Sequence, residues 1–286
     1  MKEKETKPIK AGNPKDIVKS RYDACAEQGG EEGADCCAGD APASLAVEHG
    51  LYNREELSLV PKIAFILSLG CGNPVGFANL QPGEVVVDFG CGAGIDVVLA
   101  AHKVGPTGKV VGVDMTPHMI ERAKQSVAEA HVAETTQFLL ADLERVELPD
   151  GFTDVVTSNC VINLCPDKEA VYREAFRVLK SGGRLAISDI VFGGEINPQV
   201  RKRFQASWAG CVGGAIEEDR YFQILQDVGF AHVDIVARHP LLAKELEQMA
   251  CCPGPEFTPA PAKDDIASVE GKVISIKFRA GKPKIH

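Results

Sequence analysis

From Gly83 onward the chain alternates short β-branched runs with helix-spaced segments, and this alternation constrains its fold more than any other feature. "EVVVDFG" is a strand pattern ended by glycines, "GIDVVLAAHKV" has helical spacing, and "GKVVGVDM" is a second strand. "TPHMIERAKQSVAEA" reads as a helix with Thr116 as N-cap and Pro117 in its first turn. "TTQFLLAD" and "FTDVVTSN" follow as strands, "KEAVYREAFRVLK" as a helix closed by "SGG", and "GRLAISDIVF" as a fifth strand. Strands alternating with helices predict an α/β fold with a doubly wound, mostly parallel sheet. After Val191 the pattern loosens into two helices, "NPQVRKRFQASWAG" and "EEDRYFQILQDVG", and two strands, "HVDIVARHPL" and "KVISIKFRAG". The Pro-rich residues 244–268 read as an irregular insertion. Ahead of the alternation, "PKDIVKSRYDACAEQ" suggests a short amphipathic helix, "GGEEGADCCAGDAPAS" a mobile loop and "NREELSLVPKIAFIL" one further helix. The expected organisation is an N-terminal segment (1–50), a cofactor-binding core (51–192) and an acceptor-side and C-terminal region (193–286).

The first strand runs into "VVVDFGCGAG", where Asp88 ends the strand and Gly90, Gly92 and Gly94 follow as G-x-G-x-G. Glycines let a backbone turn sharply and approach a ligand. A dinucleotide loop has G-x-G-x-x-G and places a pyrophosphate at the helix N-terminus. Here the third glycine comes one residue early, and an acid precedes the loop, which suits a cationic ligand better than a phosphate. S-adenosylmethionine fits: its ammonium at Asp88 and the loop, and its ribose hydroxyls at Asp114, 26 residues on at the second strand's end. Met115 would pack on the adenine, and Asp142, beside Leu143, would accept from its amino group. Strand-end Asp residues also cap helices, so only the ordered combination carries weight. That combination resembles the seven-stranded class I methyltransferases over about residues 80–190, which implies that the two late strands complete the sheet.

The rest of the chain narrows the acceptor. With net charge −9 and no long basic run, nucleic acid is not an expected partner. No apolar stretch is long enough to span a bilayer and the N-terminus lacks a signal region, so a cytoplasmic protein with no membrane partner is expected. Ten cysteines are many for such a chain, yet none form a C-x-x-C pair and the seven histidines are scattered, so no structural zinc is expected. Methylating oxygen or nitrogen usually calls for a general base, and none stands out near the crevice. Cysteines recur there instead. Cys160 follows the fourth strand in "SNCVINLCPDK", Cys71 sits in "SLGCGNP" and Cys211 in "SWAGCVGGA". Three convergent thiolates suit a soft centre. Trivalent arsenic is satisfied by three and keeps a lone pair directed away from the sulfurs, able to attack a sulfonium methyl.

"SLGCGNP", "SNCVINLCPDK", "EAFRVLKSGG" and "CVGGA", in this order, resemble the arsenite S-adenosylmethionine methyltransferases over roughly residues 55–230. The resemblance implies that Cys71, Cys160 and Cys211 handle As(III), and that arsenite or its thiol complex is the substrate in arsenic detoxification. It also implies an N-terminal cysteine forming disulfides during turnover, for which Cys36 or Cys37 is the nearest counterpart and Cys25 an alternative. A thiol reductant of the glutathione or thioredoxin type would then be a co-substrate. Asn159 would bind the cofactor's methionine part or shape the loop. Cys91 and Cys165 read as small buried residues. Cys251 and Cys252 stay outside the catalytic set, and Trp208 either walls the acceptor pocket or packs a helix. Were the cysteines incidental, the acceptor would be a small organic molecule such as a quinone or sterol precursor.

Overall fold

The computed structural model describes residues 13–28, 51–68, 70–206, 211–250 and 262–284. One sheet contains β1 (Val85–Phe89), β2 (Lys109–Asp114), β3 (Thr136–Leu140), β4 (Thr153–Asn159), β5 (Leu179–Phe192), β6 (Ala231–Pro240) and β7 (Val273–Gly281). Its order is β3-β2-β1-β4-β5-β7-β6. β1 to β5 pair in parallel, and β7 lies antiparallel to both β5 and β6. The two late strand patterns therefore complete a seven-stranded sheet.

Around it lie α1 (Pro14–Gln28), α2 (Arg54–Leu59), α3 (Lys62–Ile66), α4 (Pro74–Phe77), α5 (Ile95–Val104) and α6 (Pro117–Glu129). α7 (Lys168–Val178), α8 (Pro198–Ala206), α9 (Glu218–Val228), α10 (Ala243–Ala250) and α11 (Lys263–Val269) follow. Central strands are apolar along their length because helices cover both faces. Val87, Phe89, Val111 and Val156 pack against α7 and α9 through Val171, Tyr172 and Leu225. Val86, Val110 and Val155 face α5 through Val97 and Val98. Each such side chain contributes about 1.5–3 kcal/mol on burial, so the central strands hold the crevice at their C-terminal ends rigidly. A third cluster joins Cys160, Ile190, Phe192, Cys211, Leu246, Ile266 and Val273, with Cys71 packed against it.

Three local expectations change. The helix expected over "NREELSLVPKIAFIL" is split into α2 and α3, because Pro61 cannot donate a backbone hydrogen bond within a continuous helix. α7 stops at Val178 and "SGG" lies within β5, where Gly182 takes φ +81°. The expected irregular insertion is helical at both ends, α10 and α11, because Leu246, Ile266 and Val269 face the third cluster. Its Pro-rich middle lies outside the described residues. Among the described residues no helix is long and apolar enough to cross a membrane.

Candidate active site

β1 and β4 are neighbours, but the chain leaves β1 toward β2 and leaves β4 toward β5, which makes their C-terminal ends the switch point where such sheets bind ligands. A cavity opens there, lined by Gly90, Gly92 and Asp96 after β1, Asp114 and Met115 after β2, and Asp142 and Leu143 after β3. Asn159 and Cys160 line it from β4, and Lys15, Val18 and Tyr22 from α1. Gly90 has φ +75°, and a Cβ there would lie 2.2 Å from Val161, so the loop passes under β4 only as glycine. Gly94 takes φ +92° and starts α5.

Asp114 ties the glycine loop to α6: Gly92 N–H donates to it at 3.0 Å and Thr116 N–H at 2.9 Å. Thr116 is the N-cap of α6, but its own side chain makes no cap hydrogen bond; the Asp114 carboxylate takes up its backbone N–H instead. Asp88 lies beneath the loop, 2% exposed, with Thr157 Oγ1 donating to it at 2.6 Å. It does not line the cavity. After β1 the carboxylate that does is Asp96 on the first turn of α5, which accepts from Tyr52 Oη and Asn159 Nδ2, each at 3.1 Å. Burial pushes all three acids up, Asp96 to about 6. Among the described residues no basic side chain forms an ion pair with any of them. Desolvated carboxylates without a cation favour a cationic ligand, so the lining fits the ammonium and sulfonium of S-adenosylmethionine. Asp142 is already engaged: Glu144 N–H donates to one oxygen at 3.0 Å and Lys15 Nζ to the other.

Asp96 was readable two residues past Gly94, but sequence reasoning passed over it. Tyr52, Lys15 and Tyr22 carry no local signal, because only the tertiary fold brings them to the crevice.

Cys71 and Cys160, 89 residues apart, are joined by a disulfide with Cα atoms 5.9 Å apart. Cys211 Sγ donates to the Cys160 carbonyl at 3.1 Å. Thus all three cysteines on the acceptor side come together. Cys160 itself takes φ +58°, a left-handed conformation uncommon for a residue with a Cβ. Its N–H donates to the Ser188 carbonyl at 2.8 Å. Ser188 Oγ lies 3.6 Å from Cys71 Sγ, and Ser275 Oγ donates to the Cys71 carbonyl at 3.1 Å. The Cys211 turn is seated by Gly214, where a Cβ would stand 1.8 Å from the Asn163 carbonyl oxygen. Cys91, buried in the glycine loop, and Cys165, half-buried ahead of α7, also line the cavity; desolvation pushes both thiols up, Cys165 to about 12. Cys36, Cys37, Cys251, Cys252, Trp208 and the Cys25 side chain lie outside the described residues.

This sheet order, with its glycine loop and strand-end acids at the switch point, defines a class I methyltransferase fold. The chain belongs to the methyltransferase-domain family, whose model matches residues 80–229. It is similar to arsenite methyltransferases, with 41% identity over 224 residues to that of Halobacterium salinarum, covering 78% of this chain and 56% of the relative. The human arsenite methyltransferase is 33% identical over 209 residues, covering 68% of this chain and 54% of the relative. The chain thus spans about half the length of the curated relatives it matches. An arsenic(III) S-adenosylmethionine methyltransferase from Chlamydomonas reinhardtii superposes with TM-score 0.60 at 27% identity, covering 87% of this chain and 75% of that one.

Proposed function

We propose that the protein methylates trivalent arsenic held by Cys71, Cys160 and Cys211, with S-adenosylmethionine as methyl donor. The supporting observation is the meeting of three cysteines from distant segments, one of which, Cys160, lines the same cavity as Asp96 and Asp114, carboxylates with no basic partner among the described residues. S-adenosylmethionine supplies a sulfonium methyl whose bonding pair leaves with sulfur. Asp96 would take its ammonium, Asp114 its ribose, and Met115 with Leu143 its adenine. On the acceptor side three thiols would replace the three hydroxyls of arsenous acid, releasing three waters. The arsenic lone pair then lies opposite the sulfurs. Holding both partners in line supplies most of the acceleration, roughly 7–11 kcal/mol in favourable cases. No general base is required, since the attacking lone pair carries no proton.

The Cys71–Cys160 bond must open first: two electrons and two protons from two monothiols, or one dithiol, convert it to two thiols and leave the donor as a disulfide. Glutathione or a thioredoxin-type protein fits that demand, and the cytosol keeps such thiols reduced. The test is to incubate the protein with S-adenosylmethionine, arsenite and glutathione, then with a thioredoxin system, and speciate the arsenic. Methylated arsenic is expected. Its absence under both reducing systems rejects the reading and leaves a methyltransferase with another acceptor.

A further inference from the structure

The Asn159 side chain touches both halves of the site at once. Its Nδ2 donates to the Gly72 carbonyl at 2.7 Å, and its Oδ1 accepts from Gly72 N–H at 3.2 Å. Gly72 therefore fixes the amide's orientation, offering an acceptor to one atom and a donor to the other. The same Nδ2 reaches Asp96 Oδ2 at 3.1 Å and Tyr52 Oη at 3.2 Å, and Tyr52 Oη donates to Asp96 Oδ1 at 3.1 Å. In sequence, Gly72 follows Cys71 and Asn159 precedes Cys160. The fit is close: a Cβ at Gly70 would lie 2.4 Å from Asn159 Nδ2, and one at Gly72 would lie 2.0 Å from Ser188 Oγ.

We propose that Asn159 is a positioning residue that couples the cofactor cavity to the thiol site, so that a cation seated at Asp96 tightens the pairing of Cys71 with Cys160. The proposal deepens the functional reading above and rests on it for the identity of the thiol ligand. Two N–H bonds of the amide serve three acceptors, so the clasp on Gly72 depends on what Asp96 does. An ionised Asp96 accepts from both Tyr52 and Asn159, and hydrogen bonds to a charged acceptor are about twice as strong as neutral ones. A protonated Asp96 must donate one proton and gives up one of these bonds. Burial raises this carboxyl to about 6 in the ligand-free protein, so the neutral form grows as pH falls toward and below that value. A bound ammonium favours the carboxylate and holds the amide in the orientation that grips Gly72. Whatever brings the two sulfurs together, a shared arsenic or a shared bond, should respond in the same direction. By linkage the effect is reciprocal.

Two measurements test this. S-adenosylhomocysteine, which carries the same ammonium without a transferable methyl, is titrated into the reduced protein by calorimetry with and without arsenite. Separately, the fraction of Cys71–Cys160 disulfide is measured in glutathione buffers of fixed ratio, with and without S-adenosylhomocysteine. There two glutathiones reduce one protein disulfide and one oxidised glutathione forms. Arsenite should tighten S-adenosylhomocysteine binding about fivefold or more, the usual lower range for coupled sites, and S-adenosylhomocysteine should shift the disulfide equilibrium toward the bond by a similar factor. In Asn159→Ala both ratios should fall to about one, whatever the change in each ligand's affinity alone, which the same titrations read. Asn159→Ser is read in the same way and replaces it should the alanine variant fail to fold. Ratios of one in the unaltered protein, or unchanged ratios in the variants, overturn the proposal. Failure of arsenite to bind, with the disulfide ratio still sensitive to Asn159, removes the arsenic reading and leaves the coupling intact.

Discussion

Lys15 and Asp142, 127 residues apart, form an ion pair that fastens α1 across the mouth of the cavity. Lys15 Nζ also reaches Glu144 at 2.6 Å, while His118 on α6 meets Asp23 at 2.9 Å and Glu27 at 3.2 Å. Arg122 Nε donates to the Ala26 carbonyl at 3.0 Å. The Lys15 and Asp142 side chains are 24% and 42% exposed, so the pair belongs with surface ion pairs, each about 0.2–1 kcal/mol. Lys15→Ala is expected to speed S-adenosylhomocysteine release up to about fivefold, and added salt should speed release from the unaltered protein but less from the variant. Stopped-flow dissociation reads both. A variant with unchanged release kinetics would mean that α1 does not close the cavity.

The core of the fold was legible because its strands are buried on both faces and therefore apolar throughout, as in Val85–Phe89 and Lys109–Asp114. Strand-end Asp114 and the glycines announced the crevice for the same local reason. The three cysteines that lie together were singled out by where they fall along the chain, not by spacing. What stayed hidden was tertiary. Nothing near Lys15 or Tyr52 points to a crevice built from residues 90–160, and the Asn159–Gly72 clasp joins segments 87 residues apart. Asp96 alone was within reach, sitting on the turn directly after the loop.

Burial moves Asp96 from the ordinary carboxylate value of 3.8 to about 6 in the ligand-free protein. Because the folded value is raised, its contribution to stability is complete below about pH 4 and is lost as pH rises through 6. A bound ammonium acts oppositely and favours the carboxylate. S-adenosylhomocysteine affinity should therefore be flat above about pH 7 and fall as pH drops below 6, by up to about tenfold per unit. Asp88 and Asp114, also raised by burial, act on the same limb. Calorimetry at pH 6 in two buffers of different ionisation enthalpy should reveal proton release on binding. Asp96→Asn should bind more weakly and release fewer protons; equal release would assign the proton elsewhere.

Gly214 and Gly271 separate packing from backbone strain. At Gly214 the obstacle to a Cβ is the Asn163 backbone oxygen at 1.8 Å, which cannot swing aside. Gly214→Ala should displace the Cys211 turn and weaken arsenite binding by about tenfold or more, the cost of losing one of three ligands. Gly271 takes φ +72° with open space around it, so Gly271→Ala should cost about 1–2 kcal/mol of stability and leave arsenite affinity unchanged. Thermal melts and arsenite titrations on both variants distinguish the effects. Equal arsenite affinities in the two variants would show that the turn's seating on Asn163 does not matter.

Thiol accessibility offers a check that needs no turnover. In the oxidised protein Cys71 and Cys160 should resist iodoacetamide and become reactive after reduction. Arsenite should then protect these two and Cys211 together. Cys91 and Cys165 should alkylate slowly in every state, because burial raises their thiols, Cys165 to about 12, and the thiolate is the reactive form. Peptide mass spectrometry reads each position. Protection of Cys165 by arsenite in place of Cys211 would relocate the site.

Cys211 Sγ touches the carbonyl of Cys160, which lines the cavity at the end of β4, whereas Cys71 is brought in through its loop and the Gly72 clasp. A monomethylated arsenic has one valence filled by carbon and needs only two thiolates. Cys160→Ser and Cys211→Ser are therefore expected to abolish methylation of both arsenite and monomethylated arsenic(III). Cys71→Ser should abolish the first and retain much of the second, since serine leaves two soft ligands in place. Replacing Cys36 and Cys37 together should likewise spare the second step if their part is redox rather than ligation. Initial rates with each arsenical under excess reductant measure the split. Equal loss of both steps in Cys71→Ser would mean that Cys71 supports the geometry of the site itself and is not merely the third ligand.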